Sequence, residues 1–226
     1  MKLKNIELVD EFKKIIDEKL INEDFLTNFI FYKVGLSLNV KALKINDKKI
    51  TECWNGLCCS QYPNELAKFL IWIYNNKLTI NSYCEVGINR GGTFFVIDSF
   101  LRACNPNYNY GLAIDVMDKV VRKHNFMDYQ NKYKNCYFIQ MDSKKFETTR
   151  NFDLVFIDGD HSYAGVKGDY EIFKPISKYT AFHDIKWLGC DVPKFWGELT
   201  GDKKEFLNTD FKRFPITIGI GLIKNA

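Results

Sequence analysis

From about residue 62 the sequence alternates strand-like with helix-like runs, and this alternation restricts the fold more than any other feature. The runs read as strand 82–87, helix 92–104, strand 109–115, helix 119–133 and strand 136–140. A short helix near 143–148 follows, then strand 153–158, helix 164–174, strand 178–184 and helix 191–199. Pro63 is suited to open an earlier helix through Leu66, Phe69, Leu70 and Ile73, since its fixed φ and missing N–H cost nothing in a first turn. The run Ile216 to Ile223 reads as a further strand that pairs antiparallel at the sheet edge. Strands separated by helices imply an α/β fold: a doubly wound, mostly parallel sheet covered on both faces. Ligands in such a sheet sit at the carboxyl ends of the strands.

Upstream, apolar residues recur at helical spacing: Phe12, Ile15, Ile16, Leu20, Phe25, Phe29 and Ile30. An N-cap signal at Asn22-Glu23-Asp24 divides the pattern into two helices. Residues 33–50 read as a connector with short strand-like pieces. The expected organisation is an N-terminal helical extension over 1–50 and a main domain over 51–226. The extension's apolar stripe must be buried, either over the active site or in a homo-oligomer interface.

Composition narrows the partners. The net charge is +4, from 32 basic and 28 acidic residues, with lysines scattered along the chain. No nucleic-acid partner is expected from that distribution. Seven cysteines stand at 53, 58, 59, 84, 104, 136 and 190, odd in number and without a C-x-x-C pair. They read as free thiols in a reducing compartment, with Cys58-Cys59 either small packing residues or a redox or metal element. The first residues lead into a charged amphipathic pattern, not an apolar run, and the stretch Leu66 to Tyr74 is too short to span a bilayer and is interrupted by Lys68. A cytoplasmic protein is expected.

Three segments carry chemistry. In Cys84-Glu-Val-Gly-Ile-Asn-Arg-Gly-Gly-Thr93 a strand meets a helix through a glycine-rich turn. Gly87 and Gly91 would let the backbone approach a ligand, and the helix start at Gly92-Thr93 offers free N–H groups. Glu85 inside an apolar strand requires a partner. Asn89 occupies the second glycine position of G-x-G-x-x-G, which weakens a dinucleotide reading. The plain alternative is a tight turn with no ligand. Next, Asp115 ends a strand where an acid can accept from ribose hydroxyls. Asp142 stands at the same edge, either capping the following turn or facing a base.

The third segment is Asp153-Leu-Val-Phe-Ile-Asp-Gly-Asp-His-Ser-Tyr163, joined by Ala181-Phe-His-Asp-Ile185. Together they deliver Asp158, Asp160, His161, His183 and Asp184 to strand ends. A divalent metal on Asp158 and Asp184 could lower the pKa of a substrate hydroxyl, and His161 could take the proton. His183 is either a ligand, better suited to Mn²⁺ than to oxygen-seeking Mg²⁺, or a support for one. Trp54-Asn-Gly56 could form a lid and Trp187 with Gly189 an acceptor wall, ordinary packing being the alternative for both tryptophans.

From about Gln61 to the C-terminus these motifs resemble the methyltransferase family that includes macrocin O-methyltransferase and cephalosporin-biosynthesis methyltransferase-like proteins. Catechol O-methyltransferase is a more distant relative. The resemblance implies a Rossmann-like class I methyltransferase with a seven-stranded sheet carrying an antiparallel edge strand. It implies S-adenosylmethionine held by Glu85, Gly87, Asn89, Gly91, Thr93, Asp115, Asp142 and Asp158. It also implies a divalent metal, Mg²⁺ or Mn²⁺, on Asp158, His183 and Asp184. Asp158 and His161 are the implied catalytic residues, and the acceptor is a small hydroxylated molecule such as a sugar. The chain departs from the pattern twice. The catechol enzyme's lysine has no counterpart here, His161 standing nearest, and His183 replaces a common carboxylate. The competing readings are a metal-dependent glycosyltransferase using Asp158-Gly-Asp160, a nicotinamide oxidoreductase disfavoured by Asn89, and a non-catalytic binding module.

Overall fold

A computed structural model describes residues 2–36, 56–124 and 126–225. Most of the expected connector 33–50, and Trp54 and Asn55 of the expected lid, lie outside these residues.

The alternation folds as its period requires. Strands β1 (Ser82–Val86), β2 (Tyr110–Asp115), β3 (Cys136–Gln140), β4 (Phe152–Ile157), β5 (Ser177–Phe182), β6 (Lys203–Phe206) and β7 (Ile220–Lys224) form one sheet in the order β3-β2-β1-β4-β5-β7-β6. The pairs among β1 to β5 are parallel, whereas β7 runs antiparallel to both β5 and β6. The C-terminal run is thus the antiparallel strand foreseen, but it lies one place inside the edge. The outer place goes to β6, whose Lys-Lys-Glu sequence gives little apolar signal.

Helices cover the two faces: α3 (Pro63–Asn75), α4 (Gly92–Cys104), α5 (Lys119–His124), α6 (Phe126–Lys132), α7 (Tyr163–Phe173) and α8 (Val192–Glu198). The expected helix 119–133 is two helices, and the one near 143–148 is a single 3₁₀ turn at Ser143–Lys145. None of the helices among the described residues is long and apolar enough to cross a membrane.

Near the N-terminus, α1 (Leu8–Asp17) and α2 (Glu23–Phe29) appear where the apolar spacing places them. Asn22 accepts the Phe25 N–H through its side chain and so fixes the break between them. Their stripe is buried inside the chain itself: the Phe12 ring packs 5.2 Å from Phe29 and edge-on to Phe100 of α4. This burial accounts for the stripe without an active-site cover or a subunit interface, because α4 supplies the apolar partner.

Buried polar groups tie the layers together. Asp98 of α4, fully buried, accepts from Arg102, Tyr108 and Tyr129, so one carboxylate joins α4 to α6 and to the approach to β2. Glu65 of α3 takes four donors: the N–H groups of Asn208, Ile218 and Gly219 and the Thr217 hydroxyl. This clasp anchors the approach to β7, which in turn hydrogen-bonds the chain after β5 through Ile185 N to Gly219 O and Lys186 N to Ile218 O.

Candidate active site

A cavity of about 580 Å³ opens at the carboxyl ends of β1, β2 and β4. It is lined by Glu85, Gly87, Asn89, Thr93, Asp115, Asp142, Asp158, His161 and His183, which are most of the residues singled out in the sequence. Gly91 and Asp184 do not line it.

The cavity's β1–β2 side is organised by main-chain groups. Asp115 ends β2 with each carboxylate oxygen accepting one backbone N–H, Asn89 at 2.7 Å and Met117 at 2.8 Å. A carboxylate has further lone pairs, so ribose hydroxyls can still be accepted at this position. Glu85 is answered by the Tyr83 hydroxyl, and burial pushes its pKa well above the usual carboxylate range. Asp142 accepts the Lys144 N–H at 3.0 Å, capping the 3₁₀ turn while facing the cavity.

The glycines of the β1 turn also make room for contacts within the protein. A Cβ on Gly87 (φ +83°) would lie 2.3 Å from the Asp158 carbonyl oxygen and 2.4 Å from the Gly159 Cα. One on Gly91 (φ +83°) would meet Val120 at 2.5 Å, and one on Gly92 the backbone of Leu57 to Cys59. The close approaches these glycines permit are between segments of the protein. At Gly87 the approach locks the β1 turn against the loop that carries Asp158.

The β4–β5 side holds a compact charged cluster. Asp158 Oδ1 lies 3.0 Å from His183 Nδ1 and 3.2 Å from His161 Nε2, and Gln61 donates to Oδ2 at 2.9 Å. Asp184 completes the group, its Oδ2 being 3.1 Å from His161 Nδ1 and its Oδ1 3.3 Å from His183 Nδ1. Asp184 adopts φ +62°, a left-handed conformation that aspartate tolerates at modest cost and that ends the β5 run. Burial alone would lower the His183 pKa, but Asp158 and Asp184 outweigh it and raise the value to about 9. Burial opposes ionisation of Asp158 too, yet the two imidazoles hold it below the ordinary carboxylate range. The hydrogen bond to Asp158 raises the His161 pKa, while burial raises that of Asp184.

Asp158, His183 and Asp184 each offer a ligand atom within 4.8 Å of the others, so the donor set fits a divalent cation. His183 Nε2 is buried without a hydrogen-bond partner. Asp160 turns away from the cluster: it accepts the Ser162 N–H, and its carboxyl lies against Gly165 in the first turn of α7. Trp187 is half-exposed in the loop after Asp184, and its ring packs where a Cβ on Gly189 would fall. Sequence reasoning missed Gln61, Glu65 and Asp169, whose carboxylate accepts from the Ser143 hydroxyl at 2.5 Å. Their roles depend on partners 26 or more positions away, so no local spacing marks them.

Comparison with known proteins bears on the fold and on the segment that lines the cavity. Residues 84–185 match the profile of a family described as a methyltransferase domain. No curated protein matches the sequence. Among solved structures, the chain is similar to a proposed caffeoyl-CoA O-methyltransferase from Staphylococcus aureus, with 14% identity over 96% of this chain and 99% of that one, and TM-score 0.53. It is also similar to the O-methyltransferase TomG from Streptomyces achromogenes, solved with S-adenosylmethionine, with 11% identity over 82% and 88% and TM-score 0.51. The N-methyltransferase NodS from Bradyrhizobium japonicum matches with 12% identity over 70% and 93% and TM-score 0.50. At these identities the likeness concerns the fold. The fold is thus the Rossmann-like methyltransferase fold, and the segment that builds much of the cavity is the one that matches the methyltransferase-domain family.

Proposed function

We propose that the protein methylates an oxygen of a small hydroxylated molecule, with His161 as general base and a divalent cation on Asp158, His183 and Asp184. The observation that carries this reading is the cluster of two carboxylates and two imidazoles at the ends of β4 and β5, bordering the cofactor cavity. The O-methyltransferases among the similar structures are consistent with it. Methyl transfer needs an in-line approach of nucleophile and sulfonium, so positioning and removal of the hydroxyl proton are the protein's main tasks.

A cation held there supplies positive charge that acidifies the acceptor hydroxyl and offsets the two carboxylates. His161 Nε2 lies 3.2 Å from Asp158 and Nδ1 3.1 Å from Asp184, so with an N–H on Nε2 the Nδ1 lone pair can take the proton once Asp184 is drawn to the cation. Gln61 and His183 hold Asp158 in place, and the left-handed backbone at Asp184 turns its carboxylate into the group. The nucleotide-sugar reading loses its basis, because Asp158 and Asp160 face different partners and do not form a joint cation site.

The test is turnover and binding of His161→Ala with a hydroxylated acceptor. The kcat is expected to fall by about 10²–10⁴-fold with S-adenosylhomocysteine affinity retained. Wild-type kcat in the variant, or full turnover of wild type after exhaustive EDTA treatment, would overturn the base or the metal respectively.

A further inference from the structure

We propose that His161, Asp184 and Cys190 form a second, thiophilic metal site that takes Zn²⁺ and, when filled, silences methyl transfer. Binding stands on the geometry of the three side chains; the silencing rests on the proposed roles of His161 and Asp184.

One ligand atom from each residue lies within 4.8 Å of the other two. The His161 Nδ1 to Asp184 Oδ2 distance is 3.1 Å. Ligands of one tetrahedral zinc stand about 3.3–3.7 Å apart, given Zn–N and Zn–O bonds near 2.1 Å and Zn–S near 2.3 Å. The Cys190 Sγ lies within 4.8 Å of both other ligand atoms, so the thiol has to draw in to complete the set. The chemistry differs from that of the Asp158–His183–Asp184 group: a thiolate with an imidazole and one carboxylate favours Zn²⁺ and not Mg²⁺.

The surroundings are already those of a zinc site. The nitrogen of His161 opposite the proposed bond, Nε2, lies 3.2 Å from Asp158, and a ligating imidazole normally gives its other N–H to a carboxylate. The second oxygen of Asp184 faces His183 Nδ1 at 3.3 Å. Both first ligands are therefore oriented from behind.

Cys190 is brought back over Asp184 by two successive turns. Trp187 N donates to Asp184 O, and Cys190 N and Sγ both reach Trp187 O. Asp191 N then bonds the His161 carbonyl, tying this loop to the loop that bears the histidine. Gly189 lets the Trp187 ring pack against the fold-back, since a Cβ there would lie 2.8 Å from that ring. Cys190 is also reachable: among the described cysteines only Cys104 is comparably open, whereas Cys58, Cys59, Cys84 and Cys136 are buried. Three protein ligands leave the fourth position to water.

Binding exchanges the thiol proton for the cation and releases it to solvent. It engages the Nδ1 lone pair that would accept the acceptor's proton, and it withdraws Asp184 from the neighbouring cation group. Zn²⁺ should thus inhibit where Mg²⁺ or Mn²⁺ activates.

The experiment uses the reduced, metal-stripped full chain titrated with Co²⁺ as a spectroscopic stand-in, then with Zn²⁺ in competition. Expected is one equivalent of Co²⁺ with a thiolate-to-cobalt charge-transfer band, displaced by Zn²⁺, lost in Cys190→Ser and kept in Cys104→Ser. Absence of the band, or its survival in Cys190→Ser, overturns the site. Zn²⁺ should inhibit turnover of wild type at least tenfold more strongly than that of Cys190→Ser, whose basal activity should be unchanged. Equal inhibition of both overturns the silencing while leaving the site. An enzyme fully active in EDTA would remove the hard-metal reading and leave the cobalt result to stand or fall alone.

Discussion

Raising the pH of the metal-free protein from 6.5 to 9 should destabilise it by about 3 kcal/mol through His183 alone. His183 is buried in the folded chain, where Asp158 and Asp184 raise its pKa from 6.5 to about 9. The folded state therefore holds the proton more tightly than the unfolded one. This contribution is fully present below about pH 6.5, diminishes as the pH climbs, and is gone above about 9. The depressed pKa of Asp158 expresses the same attraction from its other partner, so adding the two would count one interaction twice. The assay is urea denaturation in EDTA at half-unit pH steps, comparing wild type with His183→Gln. Wild type should lose stability across the window, and the variant should show a markedly flatter profile. Equal pH dependence of the two proteins would refute the assignment of the proton to His183.

Gly87→Ala should cost several kcal/mol: the left-handed backbone contributes about 1–2, and the clash with Asp158 and Gly159 adds about 1–3. Calorimetry should also show weaker S-adenosylhomocysteine binding, and an unchanged melting temperature and affinity would show that the two loops yield freely. Glu65→Ala removes the acceptor of four donors, of which only the Asn208 N–H keeps another partner in Thr217; an unsatisfied buried donor costs about 1–3 kcal/mol, so the urea midpoint should fall sharply. A variant within about 1 kcal/mol of wild type would mean that water replaces the clasp.

The sequence by itself determined the parts of this protein that depend on local periodicity and on groups a few positions apart. Period-2 and period-3.6 patterns are written in neighbouring residues, so β1 to β5 and the helices between them were legible, as was the Asn22 cap. Asp115, Asp158, His161 and Asp184 stood out because polar groups at the ends of apolar strands in a parallel sheet converge on one edge. What only the tertiary structure decided is which distant groups meet. β6 forms because β7 presents it with an edge, not because Lys-Lys-Glu-Phe prefers extension. The glycines of the β1 turn are matched to Asp158, Val120 and Leu57, contacts that no spacing records. Asp158 and Asp160 look equivalent in the sequence, yet the strand end sends one into the cluster and α7 takes the other as part of its first turn. Gln61 and Glu65 became part of the site's frame through partners 97 and 143 or more positions away, because burying a carboxylate requires donors from wherever the fold brings them.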